Sequence, residues 1–155
     1  MSCDAVAFAA VLFLASSEPG AAVPAPAVAA EAPPLAREPL FADIVKRADA
    51  LKARVDVWKG VEGPLPGYAD FRGEVEVLAR LDMQAHRLLA ERGTDGDLKC
   101  ILRGIAQDLP ARLKEVETAA DRRARDQALK EMFWLLRDNV EVIVTPPTVT
   151  SGADA

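Results

Sequence analysis

The chain has 155 residues, a net charge of −5 at pH 7 and a hydrophobic fraction of 50%, values that suit one soluble globular domain. Lys and Arg are interspersed with Asp and Glu and form no separate basic block, so the charge pattern argues against a nucleic-acid partner. Helix-forming residues are abundant and Tyr occurs once. This composition predicts an all-α fold.

A short apolar run, AVAFAAVLFLA, occupies residues 5–15. It is too short to span a bilayer and is typical of a signal-peptide core. An A-x-A pattern ends at Ala29, although the first four residues contain no Lys or Arg. We therefore expect residues 1–29 to be a signal peptide, the mature protein to be periplasmic or secreted, and no stable membrane anchor to remain. The alternative is an Ala- and Pro-rich leader that is never cleaved.

Prolines recur between residues 18 and 39 and preclude a regular helix there, so residues 30–38 are predicted to be an extended linker. At the other end, Pro146 and Pro147 terminate the last helix. Residues 146–155 are predicted to be a disordered tail. The folded domain is thus predicted to span residues 39–145.

Four segments of that domain carry large apolar side chains at alternating steps of three and four, which places them on one stripe of an α-helix. The strongest is Leu129–Val144, whose stripe consists of Leu129, Phe133, Leu136, Val140 and Ile143. Such a helix needs partner helices to cover it. We predict an antiparallel, up-down four-helix bundle.

Local signals predict the details of the helix ends. Asp70 is expected to cap the second helix. Pro110 removes a backbone donor in the middle of the third helix, so a kink or short break is expected near Gln107–Leu109. A hairpin is expected around Thr118–Asp121, which has capping-box spacing. The alternative architecture has three helices, with one long kinked helix in place of the third and fourth.

Asp82 and His86 stand out in the second helix. The helical wheel places Asp82 on the apolar side of that helix, where a carboxylate is costly unless it is paired. His86 follows one turn later, within reach of Asp82. We predict a structural hydrogen bond between them, extended to Arg137 or Asn139 of the fourth helix. The competing hypothesis is that His86 binds haem or a divalent metal and is oriented by Asp82.

An exported four-helix bundle that contains His86 with Met83 or Met132 resembles the cytochrome b562-type proteins. These proteins hold haem between a Met and a His. The resemblance implies a haem or metal carrier as an alternative function, although the family has its Met near the start of the first helix and its His in the last. A single His rarely makes a metal site, and the chain lacks the Glu-x-x-His pairs of ferritin-like bundles. Our first expectation is therefore that there is no cofactor.

Two residues are candidates for an interface. Trp134 points away from the apolar stripe, and an exposed Trp often anchors a contact; alternatively, its helix is buried on a broader face. Cys100 falls on the outer side of the third helix, where a thiol in an oxidising compartment can bridge two copies. For Cys100 we slightly favour the other interpretation, a small buried hydrophobe.

Catalytic motifs are missing from the sequence. No Gly-rich phosphate loop, Ser/His/Asp arrangement or cluster of metal ligands occurs. Histidine is the usual general base in enzymes, but the single His of this chain lies within a predicted helix. We expect a non-enzymatic exported bundle that binds an unknown protein partner or forms a homodimer.

Overall fold

The computed structural model describes residues 34–93 and 96–145, so the predicted signal peptide, most of the linker and the tail lie outside the described residues. The described chain is helical and has no strand, which confirms the all-α prediction. None of its helices is long and apolar enough to cross a membrane. A 3₁₀ helix, Pro34–Arg37, precedes the helices α1 (Pro39–Val57), α2 (Tyr68–Glu91), α3 (Gly96–Thr118) and α4 (Arg122–Val144).

The four α-helices form a closed ring of neighbours. Helix α1 packs against α2 and α4, and α3 also packs against α2 and α4. Across the two diagonals, the backbones of α1 and α3, and those of α2 and α4, stay apart. Because consecutive helices are neighbours joined by short connections, this is the predicted antiparallel, up-down four-helix bundle.

The core consists of the inner stripes of all four helices. On α4 the large apolar side chains that are fully or nearly fully buried are Leu129, Met132, Leu136 and Ile143. Two members of the predicted stripe, Phe133 and Val140, are only partly buried and pack against the edge of the core. The buried positions, which include Asn139, also alternate by steps of three and four, but α4 is rotated about its axis so that Met132 faces the core in place of Phe133.

The turn between α3 and α4 forms where the hairpin was predicted, at residues 119–121, so the alternative with one long helix is wrong. Asp121 caps α4, because its side chain accepts a hydrogen bond of 2.8 Å from the backbone N–H of Ala124. Thr118 is not the cap. Its hydroxyl donates to the carbonyl of Lys114 at 2.8 Å, a common bond for a Thr near a helix end.

Two other predictions, the break before Pro110 and the cap at Asp70, are wrong. Helix α3 continues through Pro110, so the predicted short break is wrong. Pro110 is exposed, and the helix is held on both sides of it by the buried Leu109 and Leu113. Helix α2 begins after Gly67, whose φ of +68° suits glycine, and Asp70 lies in the first turn without capping it.

The segment before α1 differs from the predicted extended linker. Residues Pro34–Arg37 form a 3₁₀ helix that packs against α1 and α4, with Leu35 partly buried against the core. Pro34 is tolerated there because it is the first residue of a helix that has few internal hydrogen bonds to lose. Next to it, Arg92 at the end of α2 donates two hydrogen bonds, of 2.9 and 2.8 Å, to the carboxylate of Glu38.

The connection between α1 and α2 is fixed to the helices around it. Trp58 ends the apolar stripe of α1 and is buried, with its ring edge-on to Phe71 at 4.8 Å between centroids. Its indole N–H donates to the carbonyl of Pro66 at 3.2 Å. From α4, Arg125 donates to the carbonyl of Val61 at 2.7 Å. This end of the bundle is therefore held by side chains of two helices.

Candidate functional site

A polar pair lies at the centre of the core. Asp82 and Asn139 are the two polar side chains that are buried among the described residues, and both have an exposed fraction of 0%. The amide N–H of Asn139 on α4 donates to Oδ2 of Asp82 on α2 at 2.9 Å. Because the backbones of α2 and α4 do not approach each other, this hydrogen bond crosses the middle of the bundle.

Each member of the pair has one oxygen without a hydrogen-bond partner. These atoms are Oδ1 of Asp82 and Oδ1 of Asn139, and both are buried. Burial raises the pKa of the Asp82 carboxyl to about 7, while the hydrogen bond from Asn139 opposes that rise. Both unpartnered atoms are acceptors, and protonation of Asp82 supplies a donor. The pair can therefore hold a proton near neutral pH in a medium that excludes water.

His86 has a different partner from the one predicted. Its Nδ1 lies 2.7 Å from the backbone carbonyl of Lys99 on α3, so the predicted bond to Asp82 is wrong. Because a carbonyl can only accept, Nδ1 carries the proton. His86 lies on the side of α2 that faces α3, whereas Asp82 points across the diagonal toward α4.

The predicted partner of Asp82 on α4 was Arg137 or Asn139. Asn139 is that partner, and Arg137 is not. The guanidinium of Arg137 lies over the ring of Trp134 on the outside of α4, 4.1 Å from the ring centroid. It also donates to Oδ1 of Asp138 at 2.8 Å and pairs with Glu141 at 3.3 Å. Arg137 therefore belongs to the surface.

The outer surface of α4, which we call the α4 outer face, has an aromatic centre. It consists of Gln127, Lys130, Glu131, Trp134, Arg137, Asp138 and Glu141. Trp134 is 42% exposed, and the edge of its ring meets Phe133 at 5.6 Å between centroids. From the end of α1, the ammonium of Lys59 lies over Phe133 at 4.8 Å. Cations therefore cover both aromatic rings.

A cavity of about 250 Å³ opens beside this face, between α1 and α4. Val55 and Leu129 form its apolar floor, and Lys59, Lys130 and Asp126 line it as well. One carboxylate oxygen of Asp126 is buried without a partner. The cavity is smaller than the roughly 300–1,000 Å³ of ordinary ligand pockets. No sequence pattern indicated it, because its walls come from two helices far apart in the chain.

The remaining predicted residues lie apart from one another. Cys100 is exposed and in the free thiol form, so the favoured interpretation of a buried thiol is wrong. Met132 is fully buried in the core and Met83 is half-buried on α2. The described residues contain no group of three or more His, Cys, Asp or Glu side chains placed to hold a metal ion. The haem or metal carrier stays a prediction that rests on the sequence.

The α4 outer face and the buried pair are the two places from which a function can be argued. One presents an aromatic side chain to the surroundings, and the other encloses a titratable group. Comparison with known proteins adds no third source, since the chain matches no protein-family model, no curated protein and no solved structure.

Proposed function

We propose that this protein is an exported, non-enzymatic helical bundle that acts by binding another protein surface through the α4 outer face. One observation carries the proposal: Trp134 is 42% exposed on the outer side of α4, whereas the inner stripe of that helix is packed in the core. The other tryptophan, Trp58, is 2% exposed. Trp134 thus leaves part of its apolar area exposed at the middle of a helix, although Arg137 stacks over its ring.

The surroundings of Trp134 support this role. Trp and Arg are the residues most enriched among those that contribute most to binding at interfaces, and Arg137 stacks on Trp134 at 4.1 Å. Both side chains project from the middle of a 23-residue helix. A surface carried on a helix needs little ordering when it binds, which lowers the entropic cost of association.

The placement of the most perturbed acid favours a binding role over catalysis. Asp82 has its pKa raised to about 7, as catalytic acids and bases often do. It is nevertheless fully buried and bonded to Asn139, so it does not reach a substrate at the surface. A structural role explains its environment without a reaction.

Site-specific photo-crosslinking tests the proposal. A photoreactive aromatic amino acid, which keeps a large apolar ring at the position, replaces Trp134 in one variant and, as the matched control, the exposed Arg80 of α2 in another. After irradiation of intact cells, we expect one discrete protein adduct from position 134, in the periplasmic or secreted fraction, and none from position 80. Equal labelling at both positions, or no adduct at position 134, would overturn the proposed function.

A further inference from the structure

We infer that the surface covering the α4 outer face is a second copy of this chain, with the two α4 helices side by side and parallel. This inference rests on the proposed function and names its partner. The observation that carries it is the arrangement of charges on either side of Trp134. Two copies bring opposite charges together when their α4 helices are parallel and like charges together when the helices are antiparallel.

Four of the five charged side chains of the α4 outer face divide into two flanks. The fifth, Glu141, lies about 20° from Trp134 on the cationic side, about two turns further along the helix. At roughly 100° per residue, Lys130 and Arg137 lie about 40° and 60° to one side of Trp134. Glu131 and Asp138 lie about 60° and 40° to the other side by the same geometry. All four side chains are exposed or half-buried. The face therefore has a cationic flank, an aromatic centre and an acidic flank.

The contacts to neighbouring helices show where each flank lies. Glu131 pairs with Arg112 of α3, so the acidic flank is on the α3 side. Lys130 lines the cavity with Val55 of α1 and with Lys59, which follows that helix, so the cationic flank is on the α1 side. Each flank thus borders a different neighbouring helix, and a partner meets them as two separate surfaces.

A two-fold axis parallel to α4 brings opposite charges together. It places the cationic flank of one copy against the acidic flank of the other and sets the two Trp134 rings at the same height. Lys130 then faces Glu131 of the second copy, and Arg137 faces Asp138 of the second copy. The members of each pair differ in height by one residue, or about 1.5 Å, so the side chains reach each other.

The antiparallel arrangement is unfavourable. A two-fold axis perpendicular to α4 through Trp134 brings like flanks together, so that Lys130 lies near Arg137 of the second copy. Glu131 then lies near Asp138 of the second copy. Like charges placed opposite each other destabilise helix pairs, and flanking charges set the orientation in coiled coils. In the parallel pair Glu141 faces its own copy, which is one like-charge contact against the four opposite-charge pairs of the two flanks. The flanking charges therefore still favour the parallel pair.

The pairs already present on the surface can exchange for these contacts. Arg137 pairs with Asp138 and Glu141, and Glu131 pairs with Arg112, between side chains that are 31% to 57% exposed. Exposed ion pairs contribute little to stability. Their loss is a small cost beside the burial of two indole rings.

Sedimentation equilibrium of the full chain between about 1 and 100 µM tests the second copy. We expect the wild type to dimerise and Trp134→Ala to be monomeric. Lys130→Glu or Glu131→Lys alone should weaken the dimer about tenfold, because each places like charges together, and the double swap should restore it. Arg80→Glu, on the outside of α2, is the control and should leave the dimer unchanged. A monomeric wild type, or a double swap as weak as the single variants, overturns the inference.

A cysteine crosslink tests the orientation separately. In a Cys3→Ser, Cys100→Ser background, Gln127→Cys should form a disulfide-linked dimer, since parallel helices place position 127 opposite itself. In an antiparallel pair these positions are about 21 Å apart, too far for a disulfide. Crosslinking of Gln127→Cys to Glu141→Cys instead would overturn the parallel arrangement.

The mass of the photo-crosslinked adduct separates the two proposals. Twice the mass of the chain, with peptides of this chain alone, supports the second copy. An adduct from position 134 with a different protein overturns the second copy while the proposed function stands. If position 134 gives no adduct, the proposed function fails as well.

Discussion

Helix α4 has a polar residue on its apolar inner face and a large aromatic residue on its polar outer face. The two differ in whether the rest of the chain supplies a partner for them. On the inner face Asn139 is fully buried, and its amide is bonded to Asp82 across the core. On the outer face Trp134 remains 42% exposed under Arg137. The inner residue finds its partner within the chain, whereas the outer one still presents apolar area to its surroundings.

This difference separates residues that determine the fold from residues available for binding. Asn139 and Asp82 cost desolvation free energy, and one hydrogen bond offsets part of it only when α2 and α4 are rotated toward each other. Trp134 restricts helix rotation little, because it points outward and its ring contacts with Phe133 and Arg137 lie within α4 itself. We therefore expect changes to the inner pair to affect folding and changes to Trp134 to affect association.

The largest expected effect is on the pH dependence of stability. The pKa of Asp82 rises from 3.8 to about 7 on folding, so the folded state binds this proton more tightly than the unfolded state. The stabilisation is complete below about pH 4 and is lost as the pH rises through 7. The free energy of unfolding from urea denaturation should therefore fall by up to about 4 kcal/mol between pH 4 and pH 8 from this group alone.

Asp82→Asn is the control for the pH effect, because it keeps the shape and the hydrogen bonding of the side chain but does not titrate. Subtracting its pH profile from that of the wild type removes the contributions of every other titratable group. The remaining slope should lie between pH 4 and pH 8. Parallel profiles for the two proteins would show that Asp82 is not protonated in the core.

Asn139→Ala should have the next largest effect. It removes the one hydrogen-bond donor to Asp82, and we expect the free energy of unfolding to fall by about 3 kcal/mol at pH 8. The loss should be smaller at pH 5, where the Asp82 carboxyl is neutral. The adjacent outer substitution Asp138→Ala should change stability by less than about 0.5 kcal/mol. Similar losses for both variants would remove the distinction between the two faces.

Trp134→Ala should have the smallest effect on stability. Measured below the concentration at which the chain dimerises, the change should be less than about 1 kcal/mol, because Trp134 lies on the outer side of α4 and is 42% exposed. Leu136→Ala, two residues away on the fully buried stripe, is the matched control and should lose about 3 kcal/mol. A loss as large for Trp134→Ala would mean that the indole is part of the core.

The residue pattern predicted the four helices, the position of the α3–α4 turn and the burial of Asp82. These features depend on the period of 3.6 residues and on local chain chemistry, and both can be read within one segment. A single segment did not predict the structure where contacts with a neighbouring helix determined it. Continuous packing on both sides carries α3 through Pro110, and contacts with α1 and α4 accompany the 3₁₀ helix at Pro34–Arg37.

The candidate site was harder to predict than the fold. His86 was assigned to Asp82 because the two residues are one turn apart, yet it contacts the Lys99 carbonyl of the neighbouring helix. A helical wheel gives the direction of each side chain about its own helix. It does not show which residue of a neighbouring helix lies in that direction. Direction alone left Trp134 and Cys100 undecided between exposure and burial, and both are exposed.

The sequence alone determined which side of each helix is apolar, because spacing along one helix sets direction about its axis. It also determined the order of charges around Trp134 on which the proposed dimer depends. The tertiary structure alone decided that Asp82 meets Asn139 across the diagonal and that Trp134 remains 42% exposed. Those facts depend on the rotation and relative height of four packed helices, which the core as a whole fixes.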